Sequence, residues 1–229
     1  MTLSPSSIKI YQKCPKQFEA KYIKKSLPYK QSAAAARGEK LHELMELAIN
    51  YGWDNIDWPD VNNYHHAKGF VQSVKALEDS GWTIYTEAET AISKNGLTYE
   101  WNDKTAYIKS RIDCYAVNPD FDYALIFDWK TGKHYEEDKV QLIINAMCLK
   151  SYTHKSIYHC AFCYLDDGEC VKVDCNVPEG CYFNWLQDQT TPVGKVCAII
   201  EEIENATTFA PKVNRFCRWC EVDCECKLM

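Results

Sequence analysis

Near Trp82 the spacing of apolar residues changes, and that change constrains the fold more than any single motif. Upstream the period is helical. SPSSIKIYQKCPKQFEAKYI opens on serines suited to an N-cap, and Pro15 predicts a bend or a restart inside it. AAAARGEKLHELMELAINYG places Leu41, Leu44, Met45 and Ala48 on one helical face, and NNYHHAKGFVQSVKALEDSG reads as a third helix. Downstream, WTIYTEAETAIS, a hairpin turn at Asn95-Gly96 and LTYEWND read as strand-like segments. AYIKSRIDCYAV and ALIFDWKTG follow as two more strands joined by the turn-rich NPDFDY. DKVQLIINAMCLKSY, with Val140, Ile143, Ile144 and Met147 on one face, is a helix. SIYHCAFCYL and CVKVDCNV make a hairpin around Asp167-Gly168, and a longer helical region runs from about Gly180 to Ala206. Helices, a strand meander, one helix, a hairpin and a helix predict an α/β or α+β fold with a mixed sheet.

A chain of 229 residues, 46% hydrophobic and 25% charged, can bury a sizeable core without cross-links, and one domain with embellishments is expected. No apolar run approaches the roughly 18 residues of a membrane span, and MTLSPSSIKIYQK lacks the apolar core of a signal peptide. The expected location is a reducing cytoplasm. The 13 cysteines then read as buried free thiols plus a metal site rather than as disulfides.

The formal net charge of −6 argues against indiscriminate nucleic-acid binding, but charge is not spread evenly. Between Lys9 and Lys30 seven lysines accompany a single acid, Glu19, with Tyr11, Phe18, Tyr22 and Tyr29 interleaved. Lysines neutralise phosphates and aromatic rings stack on unpaired bases. A solvated helix face whose rings point into the core has the same pattern.

The strand ALIFDWK ends in charges: Ala124 to Phe127 suit a buried strand, yet Asp128 and Lys130 follow directly. Asp113, in RIDCY on the preceding strand, can reach the same end of the sheet if the two strands pair as a hairpin. Two carboxylates brought together and buried repel each other unless a cation lies between them. Hard oxygen ligands select Mg²⁺ or Mn²⁺, and such an ion activates water against a phosphoryl centre. Lys130 lies on the same side of the strand as Asp128, where its ammonium can orient the nucleophile and offset developing charge. The competing reading is a surface Asp-x-Lys ion pair, which contributes little.

Gly38-x-x-x-His42 on a helix, Ile112-Asp113, Asp128-Trp129-Lys130 and Gln141-Leu142 occur in that order. SPSSIKIYQKCPKQF precedes them and FAPKVNRFCRWC follows. Over nearly the whole chain this order and spacing resemble the RecB-type PD-(D/E)XK nucleases. The resemblance implies a restriction-endonuclease-like α/β fold, a central mixed sheet flanked by helices. It also implies His42, Asp113 and Asp128 as metal ligands with the carbonyl of Trp129, Lys130 as the catalytic lysine, and Gln141 as a positioning residue. Two positions depart from the family: Arg111 stands where Gly is common, and Asn145 where Tyr is common. A further acid on the preceding strand could be Glu87 or Glu89.

The tail FCRWCEVDCECKLM packs Cys217, Cys220, Cys224 and Cys226 into ten residues, and Cys-x-x-Cys spacing lets two thiolates reach one metal. These four could hold structural Zn²⁺ by themselves. The resemblance extends to CRISPR-associated and AddB-type members, which implies a [4Fe–4S] cluster held by Cys14, Cys217, Cys220 and Cys226, with Cys224 spare. Residues 1–35 and 207–229 would then meet at the cluster and form a DNA-binding embellishment of a single nuclease domain spanning 1–229. Other cysteines, among them Cys160, Cys163 and Cys170, alternate with apolar residues and are expected to pack as small hydrophobes.

The resulting expectation is a divalent-metal-dependent deoxyribonuclease, an exonuclease on single-stranded DNA or DNA ends. No GKS/GKT phosphate loop is present, so a helicase or a recombination or CRISPR partner would be a separate chain, and a homo-oligomer is compatible. The alternatives are a non-catalytic nucleic-acid-binding or assembly subunit of the same fold, and a structure-specific endonuclease or RNase.

Overall fold

A computed structural model describes residues 1–27, 32–58, 64–132, 139–155, 157–222 and 226. The first helix, α1 (Pro5–Lys13), starts where Ser4 and Ser7 cap each other reciprocally, each side chain accepting the other's main-chain N–H at 3.3 and 2.8 Å. Pro15 has no N–H to continue the ladder. Cys14 therefore turns to extended backbone (φ −163°), and the chain restarts as α2 (Pro15–Phe18) and a π-helical turn, Glu19–Ile23. Helix α3 (Ala33–Tyr51) is capped by Ser32, which accepts the Ala35 N–H at 3.1 Å, and stops at Gly52, whose φ of 94° suits only glycine comfortably. Helix α4 spans His65–Asp79.

The sheet consists of β1 (Thr83–Ile92), β2 (Ile108–Val117), β3 (Tyr123–Lys130), β4 (Ile157–Tyr164) and β5 (Cys170–Asp174), in that spatial order. All neighbours are antiparallel except β3 and β4, whose parallel pairing needs a crossover. Helix α5 (Val140–Thr153) supplies it.

Two sequence expectations are corrected. LTYEWND does not form a strand: on the outer edge of β1 only Thr98 bridges Ile92, with the Tyr99 N–H donating to the Ala91 carbonyl at 2.8 Å. Asp103 draws the chain into a turn instead, accepting the Thr105 N–H and hydroxyl at 2.7 and 2.6 Å. The helical region near the C-terminus is two helices, α6 (Tyr182–Gln187) and α7 (Pro192–Asn205). They are separated where Asp188 accepts from Thr190 and Thr191 caps Gly194.

Helices α1, α5, α6 and α7 share one core with the sheet, and α3 and α4 share a second. The division exposes an irregularity that places the site. On β1, Ile84 packs into the α3–α4 core while Ala88 and Ile92 pack into the α5 core. On β2, Cys114 belongs to the α3–α4 core and Ile112 to the α5 core. Residues an even number apart share one face of a regular strand, so the alternation slips in both strands at the same level. Glu87 and Asp113 lie at that level, between the pairs Thr86↔Cys114 and Ala88↔Ile112, and the φ of Glu87 is +45°.

The two ends of the chain meet. Phe209 packs against Tyr11 and Phe18, the Lys212 N–H points at Cys14 Sγ, and Asn214 Nδ2 donates to the Lys13 carbonyl at 3.1 Å. No described helix is long and apolar enough to cross a membrane.

Candidate active site

Helix α3 approaches the end of β3 closely because of Gly38: a Cβ there would lie 3.3 Å from Thr131 Oγ1. One turn later His42 faces β2, its Nδ1 3.4 Å from Asp113 Oδ1. The other Asp113 oxygen accepts the Trp129 main-chain N–H at 2.7 Å, which ties β2 to β3 at the site. Asp113 is nearly buried and Asp128 wholly so. Asp128 forms an ion pair with Lys130, and Gln141 on α5 bridges the two: its Nε2 donates to Asp128 Oδ1 at 2.5 Å and its Oε1 accepts from Lys130 Nζ at 3.0 Å.

The electrostatics are those of an acidic group short of cations. Burial and the charge of Asp113 push Asp128 up to about 6, against the pull of Lys130 and His42. Burial opposes protonation of His42, yet its hydrogen bond to Asp113 and the charges of Asp113, Asp128 and Glu87 outweigh that and raise it. Burial, then Asp113, push Glu87 up to about 7. Glu87 Oε1 is buried and has no hydrogen-bond partner among the described residues.

His42, Glu87 and Asp113 each offer a ligand atom, all within 4.8 Å of one another. The mixed nitrogen and oxygen donors suit a divalent ion such as Mg²⁺ or Mn²⁺, and the orphaned Glu87 oxygen fits one. Sequence reasoning left Glu87 and Glu89 open. The structure separates them, because Glu89 is exposed and paired with Arg111 at 2.6 Å. The slipped strand that turns Glu87 into the site has no signature in a run of alternating residues. Glu39, Glu43 and Glu46 of α3 also line this cleft, with Arg111 on the opposite strand. Of the two family departures, Arg111 therefore borders the cleft. Asn145 does not: it is buried and accepts the Ser110 hydroxyl at 2.5 Å.

Cys14, Cys217, Cys220 and Cys226 line one cavity of about 150 Å³ between the chain ends. Cys224 lies outside the described residues. Cys160 and Cys163 pack in the cores as expected, but Cys170 is exposed at the start of edge strand β5. A hydrogen bond from Cys163 brings its thiol down to about 6. Of the N-terminal rings, Tyr11 and Phe18 are buried and Tyr22 packs against the core, while Lys9, Lys21, Lys24 and Lys25 stay exposed. Tyr29 and Lys30 lie outside the described residues.

A mixed five-stranded sheet between helices, with two aspartates, a lysine and a His/Glu/Asp group at one place on it, defines the restriction-endonuclease-like class. The chain belongs to the PD-(D/E)XK nuclease superfamily, whose sequence profile matches residues 2–227, and members of that superfamily are in general metal-dependent nucleases. No curated protein matches the chain. A solved structure titled "Crystal structure of SSO0001" aligns over 99% of this chain and 86% of its own, at 17% identity and a TM-score of 0.48, a likeness too slight to carry an argument.

Proposed function

We propose that the protein is a metal-dependent deoxyribonuclease acting on single-stranded DNA or DNA ends, with His42, Glu87, Asp113, Asp128 and the Trp129 carbonyl holding Mg²⁺ or Mn²⁺. The observation that carries the reading is the buried, unpartnered Glu87 oxygen beside His42 and Asp113. A carboxylate in that position is costly unless a cation joins it. Bound there, a divalent ion polarises a phosphoryl oxygen and lowers the pKa of water.

The chain's own groups supply the rest. Lys130 presents its ammonium beside Asp128 to orient the attacking water and stabilise charge gathering on the phosphate oxygens. Gln141 holds both side chains through one amide, so neither has to reorganise during the reaction. The Trp129 N–H fixes Asp113 in the ligating rotamer. The exonuclease preference rests on the resemblance to CRISPR-associated and AddB-type members.

A [4Fe–4S] cluster is part of the same proposal. Its support is that Cys14, Cys217, Cys220 and Cys226 border one cavity although about 200 residues separate the first from the others. The alternative is structural Zn²⁺ on the tail cysteines. A tetrahedral zinc would draw its sulfurs to about 3.8 Å apart, given Zn–S bonds near 2.3 Å. Among the described residues no three cysteine sulfurs lie within 4.8 Å of one another, and Cys224, the fourth residue of the zinc set, lies outside them.

The test is incubation of purified protein with end-labelled and internally labelled single- and double-stranded DNA and RNA, in Mg²⁺, Mn²⁺ or EDTA. The expected result is metal-dependent release of short products from DNA with free single-stranded ends. Cleavage of RNA alone, or of covalently closed DNA as readily as of linear DNA, would overturn the substrate assignment. No cleavage in any metal would leave the non-catalytic subunit.

A further inference from the structure

Two segments of this acidic chain are rich in cations and nearly free of acids, and the fold brings them together. Residues 9–25 contain six lysines and one acid, and residues 206–220 contain Lys212, Arg215 and Arg218 and no acid. The second segment lies on the first: Lys212 Nζ donates to the Gln12 carbonyl at 3.0 Å, and Asn214 Nδ2 donates to the Lys13 carbonyl at 3.1 Å. Asn214 also accepts the Phe216 N–H at 2.9 Å, which sets the 3₁₀ turn Cys217–Trp219.

That turn sets two rings at the rim of the cysteine cavity, which both of them line. Phe216 is 41% exposed and Trp219 is 68% exposed, on a built turn rather than a loose tail. Each ring carries cations over its face, Lys13 Nζ 3.9 Å and the Arg215 guanidinium 4.9 Å from the Phe216 centroid and the Arg218 guanidinium 4.6 Å from Trp219, so a base stacks only as these side chains swing off the rings toward its phosphates. The rings among the N-terminal lysines are turned into the core instead. Exposed rings interleaved with cations match a strand of unpaired nucleotides, whose bases present flat π-faces and whose phosphates follow at regular intervals. A duplex hides those faces inside its stack.

We propose that Phe216 and Trp219 form a stacking platform for unpaired bases of single-stranded DNA, with Lys13 and Arg218 meeting the adjacent phosphates. The proposal deepens the nuclease reading by naming where its single-stranded substrate is held, and it rests on that reading for its biological sense.

The test is fluorescence anisotropy with a labelled oligothymidylate of about 15 nucleotides and a duplex of equal length, in EDTA so that no cleavage intervenes. Trp219→Ala and Phe216→Ala should each weaken binding of the single strand by about tenfold or more, the scale of one lost base stack, and leave duplex binding nearly unchanged. Trp219→Tyr should recover most of the loss, which a purely structural role for the indole does not predict. Arg218→Gln should reduce the slope of log affinity against log salt by about one. Unchanged affinity in both alanine variants, equal losses on single strand and duplex, or a tyrosine variant as weak as the alanine would each overturn the platform. Cleavage by the wild-type protein in Mn²⁺ is scored separately. Stacking without cleavage removes the nuclease reading and leaves the platform, whereas cleavage with unaffected binding removes the platform alone.

Discussion

Glu87 lies level with Asp113 at the step where the β1–β2 ladder is interrupted, between Thr86↔Cys114 and Ala88↔Ile112; its backbone is left-handed, and its buried Oε1 has no hydrogen-bond partner among the described residues. Left-handed backbone at a non-glycine residue costs of the order of 1–3 kcal/mol and persists where the surroundings impose it. Here it brings a third possible ligand atom within 4.8 Å of those of His42 and Asp113.

Replacing this carboxylate should therefore separate stability from metal binding. Glu87→Gln is expected to raise the melting temperature of metal-free protein at pH 8, because it removes a half-buried charge whose burial and repulsion by Asp113 outweigh the pull of His42 and Arg111, and to weaken Mn²⁺ binding by tenfold or more. Glu89→Gln should do neither, since Glu89 pairs with Arg111 at the surface. Calorimetry of both variants, with and without Mn²⁺, decides; equal effects at the two positions would remove Glu87 from the ligand set.

The raised carboxyls also give a pH dependence with a definite sign. Glu87 rises from 4.5 to about 7 and Asp128 from 3.8 to about 6, so the folded protein holds these protons more tightly than the unfolded chain does. The stability they contribute is full below about pH 4 and is lost as pH rises through 6 to 7. Metal-free protein should accordingly melt at lower temperature at pH 8 than at pH 5. Metal binding needs the ionised forms, so it should release protons and weaken as pH falls below about 7. Isothermal titration in buffers of different ionisation enthalpy counts those protons.

The Lys130–Gln141–Asp128 bridge predicts a graded response. Lys130→Ala should lower kcat by about 10²–10³-fold while sparing metal affinity, as loss of a charge-stabilising donor does. Gln141→Ala should cost roughly tenfold to a hundredfold in kcat, the value of hydrogen bonds to charged groups. Asp113→Asn should keep the fold, since its amide oxygen can still accept the Trp129 N–H, but lose metal binding. Single-turnover cleavage alongside metal titration tells these apart.

At the cysteine cavity the expectation is a brown protein when purified without oxygen. The colour should be lost in Cys14→Ser, Cys217→Ser, Cys220→Ser and Cys226→Ser and kept in Cys224→Ser. A cross-link between the chain ends stabilises by roughly 4–5 kcal/mol in the chain-entropy treatment of long loops, so the four colourless variants should also melt earlier. A colourless wild-type protein with one zinc, insensitive to Cys14→Ser, would assign the tail cysteines to zinc.

Much of this was legible without coordinates. Period changes marked the helices and most strands, Pro15 marked the break at Cys14, and the charged end of β3 marked the site, because each depends on residues close together in the chain. What tertiary structure decided depends on pairing over distance. LTYEWND has the look of a strand, but beyond the single Thr98–Ile92 bridge it leaves the outer edge of β1 as Asp103 closes a turn. Glu87 and Glu89 are equivalent on an alternating strand, and only the slip opposite Asp113 turns one into the site and leaves the other to Arg111. By sequence Tyr11 and Phe18, set among lysines, could stack on bases or point into the core; packing against Phe209 buries them, whereas Phe216 and Trp219, which the sequence reading did not single out, are exposed at the 3₁₀ turn. Local chemistry is written in the order of residues; which groups share a cavity, and which face a ring presents, is settled by long-range packing that buries as much apolar surface as the whole chain allows.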